Sequence, residues 1–528
     1  LFSFLLFQEG GIMLWLLLLF GMCSLGQCGK ILLLPMAHMS HVNFFGISGE
    51  ALKKDGHEVT IVVPKTVQDK AAKHNLKVLA YEDADYVEMN EILDELAPGL
   101  VTGNVSFATI VKDVLLKRFS NIVEGILSDQ ALQKQINNEK FDLAIVDGFP
   151  GWRPMFVLPY RLGIPHMVLS AINDPWMAGV SASPGLEPFV VLPYSNRMNF
   201  FQRFINTGAY IAMYYKGQIA YMIGADTYVK DYAPNRPPVS IDDIYTRSDV
   251  FLINHEVHCL DYPKVSAPNY HYIGGLSAQA PKPLPKDLED FMQGAKDGVI
   301  VVSFGSAKGY KNVLAHLKDK LFPAFRILSQ KVLISADPKR FTDLPPNVKV
   351  VEWLPQNDVI AHKKTVLFLA HGGNNGQLEA IYHGKPMLTL PLTSEQAYNG
   401  QRAVSHGFGL MLDIQTFTPD ELAEAIQTIT KNASYRQNAQ KCADILGDLP
   451  TAQSHVVFWS NHVMRHGSTH LQPARDVSLC VLMGLDVHFV IFAILYIIMK
   501  VFLLIIRLIA MVCRCCSSCC RRKKHKKE

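Results

Sequence analysis

Short, almost wholly apolar strands alternate with helices through the first half of the chain, stop at a proline-rich segment, and then start again. The first series runs from KILLLP (30–35) through a helix expected at about Asn43–Lys54 to HEVTIVVP (57–64). It continues through FDLAIVD (141–147) and HMVLS (166–170) and closes on DVFLINH (249–255). The second opens with VIVVSF (299–304), a helix over Val313–Leu328 and KVLIS (331–335). VKVVEWL (348–354), TVLFLAH (365–371), MLTLPL (387–392) and GLML (409–412) follow. Strands this apolar, separated by helices, are buried on both faces, which is the pattern of parallel α/β sheets. Between the series, AQAPKPLPKDLEDF (278–291) places three prolines among charges and reads as a linker. Two doubly wound units so joined predict a cleft where the C-terminal ends of both sheets face each other, and such crevices bind ligands.

This divides the chain into a leader (1–28), a first unit (29–277), the linker (278–291) and a second unit (292–450). A bridging amphipathic helix and juxtamembrane segment (451–486), a membrane span (487–512) and a basic tail (513–528) complete it. The leader contains MLWLLLLFGMCSLG (13–26), of signal-peptide length, with Ser24 and Gly26 as the small pair before a cleavage site and Met13 as a plausible start. The span reaches across roughly 30 Å of hydrocarbon, although Lys500 and Arg507 interrupt it. Arg507 can snorkel to headgroups, whereas Lys500 is costly at that depth. Seven Lys/Arg and one acid lie in residues 514–528, so the tail carries +6 and the other 513 residues sum to −2. The basicity is therefore a tail rather than a nucleic-acid-binding surface, and the positive-inside rule puts that tail in the cytosol and the two units in the lumen.

The tail ends KKHKKE, with Lys524 and Lys526 placed as in a dilysine retrieval signal, so an endoplasmic-reticulum type I protein is expected. Five of the ten cysteines (Cys513, Cys515, Cys516, Cys519 and Cys520) sit beside the membrane, where reversible palmitoylation is the functional reading. The lumenal part keeps Cys28, Cys259, Cys442 and Cys480, too few for a disulfide scaffold. Asn104 and Asn432 stand in glycosylation sequons.

The most informative stretch is 351–396. Strand TVLFLAH ends at His371 and passes through Gly372-Gly373 into a helix closing at Gly384. A glycine-rich strand-to-helix turn lets a pyrophosphate approach bare N–H groups at the positive end of a helix. Asn375 and Glu379, four apart, share one face of that helix, and a carboxylate there suits ribose hydroxyls. Glu395 and Gln396 open the next helix, capped by Thr393 or Ser394. Trp353, just past a strand, could stack on a base.

Together, WLPQND, HGG-N-G-x-x-E, EAIYHG and the acid–Gln pair resemble the signature of the UDP-glycosyltransferase family, especially the membrane-bound animal UDP-glucuronosyltransferases. The resemblance spans nearly the whole chain. It implies two Rossmann-like domains facing across a cleft (the GT-B fold), with a UDP-sugar held mainly by the second. By matching position it implies that Trp353 stacks the uracil and Gln356 contacts uracil or ribose. His371, Asn375 and Gly376 would meet the phosphates, and Glu379 the ribose. Glu395 and Gln396 would bind the sugar hydroxyls. Ser303-Phe304-Gly305-Ser306 resembles another diphosphate-side loop, with Ser306 its contact. Asn374 and His383 read as structural.

The first domain would supply the base. His41, in the Ser40-His41 step of MAHMSH, matches the family's catalytic histidine, and Asp147 its orienting aspartate; His38 is the competitor. Such a histidine takes a proton from an acceptor hydroxyl, giving inverting displacement from an α-linked UDP-sugar to a β-glycoside. No cofactor or metal is expected, in keeping with the lack of an Asp-x-Asp pair between the sheets. Two departures bear on the donor: Ile334-Ser335-Ala336 replaces the family's Trp-Arg-Phe step, and Thr393 precedes the acidic pair. Glucuronic acid is the first expectation and glucose the second.

The acceptor is expected to be a small lipophilic alcohol or phenol. Phe189, Phe200, Phe201, Phe204 and the tyrosines from Tyr210 to Tyr232 read either as core or as a greasy site beside the bilayer. Homo- or hetero-oligomerisation stays open. A catalytically silent UDP-sugar binder is the non-enzyme alternative, and a nicotinamide oxidoreductase is disfavoured because PMAHMSHVNF stands where G-x-G-x-x-G would be required.

Overall fold

The computed structural model describes residues 28–104, 116–173, 175–180, 183–222, 227–305, 308–472, 479–482 and 484–524. The apolar run at 13–26 lies outside them.

Seven parallel strands form the first sheet: β1 (Lys30–Leu34), β2 (Glu58–Pro64), β3 (Lys77–Tyr81), β4 (Leu143–Asp147), β5 (His166–Ser170), β6 (Phe251–Ile253) and β7 (Tyr270–Tyr272). Six form the second: β8 (Val299–Ser303), β9 (Lys331–Ser335), β10 (Val348–Val351), β11 (Thr365–Ala370), β12 (Met387–Thr389) and β13 (Gly409–Met411). Their orders are β3-β2-β1-β4-β5-β6-β7 and β10-β9-β8-β11-β12-β13, so the winding reverses between β1 and β4 and between β8 and β11. Those two reversals open crevices at the carboxyl ends of the strands. Leu34 pairs with Val146 at one, and Ser303 with Ala370 at the other. The residues just beyond each pair are His41's turn with Asp147, and the Ser303 loop with His371.

Burial on both faces explains the strand sequences: Ile31–Leu33, Leu143–Val146 and Val299–Val302 are fully inaccessible. Several sequence expectations change. Helix α1 (Met39–Lys54) begins four residues earlier than expected, because His38 adopts an extended backbone as N-cap and its ring faces the Ser40 N–H; His41 is thus on the helix's first turn. The first series does not end at 255, since β7 adds a strand beyond β6. The single helix expected over Val313–Leu328 is two, Lys308–His316 and Lys318–Arg326, broken where the Leu317 N–H bifurcates between the Val313 and Leu314 carbonyls. Beyond these, Cys259, after β6, and Cys442, in helix Ala433–Gly447, form a disulfide with Cα atoms 5.6 Å apart, so one bridge ties the first-sheet half to the second.

Helix Ala452–His466, with the Thr451 side chain accepting from the Ser454 N–H as its cap, packs on α1 and buries Val456, Ser460 and Val463. Helix Leu485–Lys524 outlasts the expected 487–512 at both ends, and its part Leu485–Arg514 is long and apolar enough to cross a membrane. Lys500 finds a partner there, its Nζ lying 5.2 Å from the Tyr496 ring centre.

Candidate active site

At the β1/β4 reversal, Asp147 ends β4 with its side chain wholly buried. Its Oδ1 accepts from the Phe149 N–H at 3.0 Å, and its Oδ2 from the Met36 N–H at 3.1 Å. The same Oδ2 lies 2.6 Å from Nδ1 of His41. An ionised carboxylate only accepts, so Nδ1 carries the proton and Nε2 is left as the ring's free acceptor. Phe44 and Phe149 pack against the imidazole, with ring centres at 5.0 and 6.2 Å. His38 stands edge-on to His41 at 6.0 Å, but its Nδ1 is bound to the Ser40 hydroxyl, and burial, reinforced by His41 and His371, lowers its pKa to about 3. Of the two histidines, only His41 has a carboxylate behind it.

At the β8/β11 reversal the chain passes from β11 through Gly372 and Gly373 into helix α2 (Asn374–Tyr382). Gly372 has φ +86°, and a Cβ there would lie 2.8 Å from the Gln396 carbonyl oxygen. Gly373 is the N-cap and no side chain caps the helix, which leaves its first N–H groups without a side-chain acceptor, the arrangement at which anions bind. His371 lies at its mouth, its ring against Phe304 and above Gly305, whose φ is also +86°. Burial lowers the His371 pKa to about 4, which keeps the ring neutral.

Glu379, one turn into α2, is 8% exposed, and its Oε2 accepts from Gln356 Nε2 at 2.7 Å. Burial raises its carboxyl to about 7, against the opposing bonds from Gln356 and Ser277. Gly376 lies beside them, for a Cβ there would stand 3.5 Å from Gln356 Nε2. Asn375 does not stand clear in the cleft: its Oδ1 accepts from Asn254 Nδ2 of the first-sheet half at 3.0 Å. Trp353 is 61% exposed, and Lys70 Nζ from the first-sheet half lies 5.9 Å from its ring centre. Ser306 lies outside the described residues.

Glu395 and Gln396 stand in the first turn of helix α3 (Ser394–Ser405). Thr393 occupies the N-cap, but its side chain makes no capping bond; Gln396 Oε1 instead accepts from the Leu392 N–H at 2.9 Å. The Glu395 carboxylate accepts from Asn399. Desolvation raises its pKa, opposed by Asn399, Arg402 and the first-sheet residue His41. Across the cleft, His41 bears electrostatically on Glu395 and His371 on His38.

A family model, described as UDP-glucoronosyl and UDP-glucosyl transferase, matches residues 29–526. The chain belongs to this family. As a UDP-glycosyltransferase it shares 29% identity over 484 residues with the 2-hydroxyacylsphingosine 1-beta-galactosyltransferase of Mus musculus, covering 90% of this chain and 88% of the relative. It shares 29% over 484 residues with UDP-glucuronosyltransferase 2A3 of Pongo abelii, covering 88% and 90%. Among solved structures, a glycosyltransferase of kitacinnamycin superposes with TM-score 0.58 at 18% identity, covering 82% of this chain and 99% of that one. Spinosyn forosaminyltransferase SpnP gives 0.56 at 17%, covering 83% and 100%. The fold is thus the GT-B arrangement of two Rossmann-like domains, and the donor class is a UDP-sugar.

Several residues around this UDP-glycosyltransferase's donor side escaped the sequence reading. Asn399 was within reach of it, being four after Glu395 and so on the same helix face. Asn254 and Ser277 were not, because they come from the other half of the chain. The aromatic segment expected to meet an acceptor divides: Phe189 and Tyr210 are buried against each other at 5.2 Å, whereas Phe200, Phe201 and Phe204 are 65–74% exposed on helix Phe200–Met222.

Proposed function

We propose that this UDP-glycosyltransferase moves a hexosyl group from its UDP-sugar to a hydroxyl of a small lipophilic acceptor, inverting the anomeric carbon. The observation that carries this reading is the His41–Asp147 pair: a buried, triply bonded carboxylate holds Nδ1 of the imidazole and leaves Nε2 as its acceptor. His41 Nε2 takes the hydroxyl proton as the acceptor oxygen bonds to the sugar's C1 and the C1–O bond to UDP breaks. Asp147 stabilises the imidazolium that forms. The leaving diphosphate is received by the N–H groups of α2 beside neutral His371, while Glu379 with Gln356 holds the ribose and Glu395 and Gln396 the sugar. No step is routed through a metal.

The side chains favour a neutral hexose over glucuronate. Glu395 brings a carboxylate to the sugar's side. The guanidinium that bears on it, that of Arg402, is spent on Asp261, Gln377 and Asn374. Ser335, where the family carries arginine, is buried and uncharged. The apolar helix at Leu485–Arg514 and the tail support placing the two domains on the lumenal face of the endoplasmic reticulum, beside lipophilic acceptors.

The test offers membranes bearing the chain a panel of phenolic and long-chain alcohol acceptors with UDP-glucose, UDP-galactose, UDP-N-acetylglucosamine and UDP-glucuronate, scoring conjugates by mass. Conjugates from a neutral hexose are expected. Glucuronides alone would overturn the donor choice, and UDP binding without any conjugate would favour the silent binder.

A further inference from the structure

The chemistry above leaves unused a set of charges buried behind the donor side of the cleft. Arg402, fully inaccessible on α3, spreads its guanidinium over three partners. Nη1 donates to Asp261 Oδ2 at 3.1 Å, Nε to Gln377 Oε1 at 2.8 Å and Nη2 to Asn374 Oδ1 at 2.6 Å. Asp261 belongs to the other half of the molecule, between β6 and β7. It also accepts from the Tyr398 hydroxyl at 2.6 Å and pairs with His255 Nδ1 at 2.7 Å. Although burial opposes its ionisation, Lys264 and Arg402 hold Asp261 well below the usual carboxylate range. Lys264 in turn lies 3.0 Å from the buried Glu187. Two cations and two carboxylates therefore balance in the interior.

Such a set is poor at stabilising a fold, because desolvation offsets most of the attraction and apolar replacements are often as good. What it can do is fix geometry. The rigid fork of Arg402 reaches a first-sheet loop with one arm and the first two turns of α2 with the others. The next links run to the reacting residues: Gln377 donates to the Asn399 carbonyl, and the Asn399 side chain donates both to the Gly372 carbonyl and to Glu395. Asn374 also donates to the Asn254 carbonyl across the domain boundary.

We infer that Arg402, through its pairing with Asp261, is a positioning residue for transfer: it sets the turns carrying His371 and Glu395 against the half of the molecule that carries His41. The inference rests on the donor-site reading above. It touches no reacting atom, so its loss acts on alignment rather than on binding of the nucleotide.

The experiment measures four quantities on full-length, detergent-solubilised protein: UDP affinity without acceptor, kcat, KM for the UDP-sugar, and thermal midpoint. Arg402→Lys keeps the charge and loses the fork. Tyr398→Phe removes one bond to Asp261 without unpairing a charge, and serves if the lysine variant does not fold. UDP affinity is expected to stay within about threefold, while kcat falls roughly 30-fold in Arg402→Lys and several-fold in Tyr398→Phe, since a misplacement of about 1 Å can cost ~10²-fold. Wild-type kcat in a folded variant, or a loss matched only by the folded fraction, would overturn the inference alone. Failure of the wild-type chain to bind UDP would overturn the donor-site reading, and this inference with it.

Discussion

His41 Nδ1 stands 2.6 Å from Asp147 Oδ2, although 106 residues separate the two. The contact exists because β1 and β4 are neighbours at the point where the first sheet reverses its winding, so the helix after one and the last residue of the other share an edge. Replacing Asp147 by Asn keeps the shape but removes the charge and the preference for the Nδ1 tautomer. We expect kcat to fall by about 10²–10⁴ with UDP affinity unchanged. Steady-state kinetics beside calorimetric UDP titration checks both.

Glu379 gives a pH dependence of definite sign. Its carboxyl, raised by burial to about 7, is protonated in the folded protein through a range where an unfolded glutamate has ionised. The folded state then binds the extra proton, so this residue's contribution to stability falls as pH rises from about 4.3 toward the folded value. Ribose hydroxyls need the ionised form as acceptor, so UDP affinity should move the other way, weakening about tenfold per pH unit below that value. In Glu379→Gln both trends should vanish, as read by thermal midpoints and UDP titrations between pH 5 and 8.

Gly372 is expected to resist substitution. At φ +86° with the Gln396 carbonyl 2.8 Å from where a Cβ would stand, Gly372→Ala adds a strained backbone of roughly 1–2 kcal/mol and pushes the start of α3 from the cleft. Donor KM should rise while the fold persists, as kinetics with circular dichroism would show.

The disulfide between Cys259 and Cys442 closes a loop of 183 residues. Cys259→Ser should destabilise the protein by roughly 2–5 kcal/mol, and reductant should lower the wild-type midpoint while leaving the variant's unmoved.

Strand periodicity and the glycine turn carried most of the architecture, because buried parallel strands and a strand–Gly–helix step are local patterns. The same locality explains what was missed. The cysteines are too far apart for their spacing to suggest a bridge, and the charges of Asp261 and Arg402 read as surface until the fold buries them together. The sequence puts His41 on a loop, whereas it stands in the first turn of α1, since His38 is a poor capping residue by composition and acts as one only in context. Phe200, Phe201 and Phe204 could be read as core or surface from their apolarity alone, and their exposure depends on which face of the helix Asn206 and Tyr210 turn inward.

The proposed mechanism makes His41 the base of a hexosyl transfer in this cleft. The measurement that tests it most directly compares kcat of the wild-type chain and His41→Ala on the best donor–acceptor pair, with UDP affinity determined on the same preparations. A fall of at least about 10²-fold with UDP binding intact is expected. Equal turnover in the two proteins would contradict it.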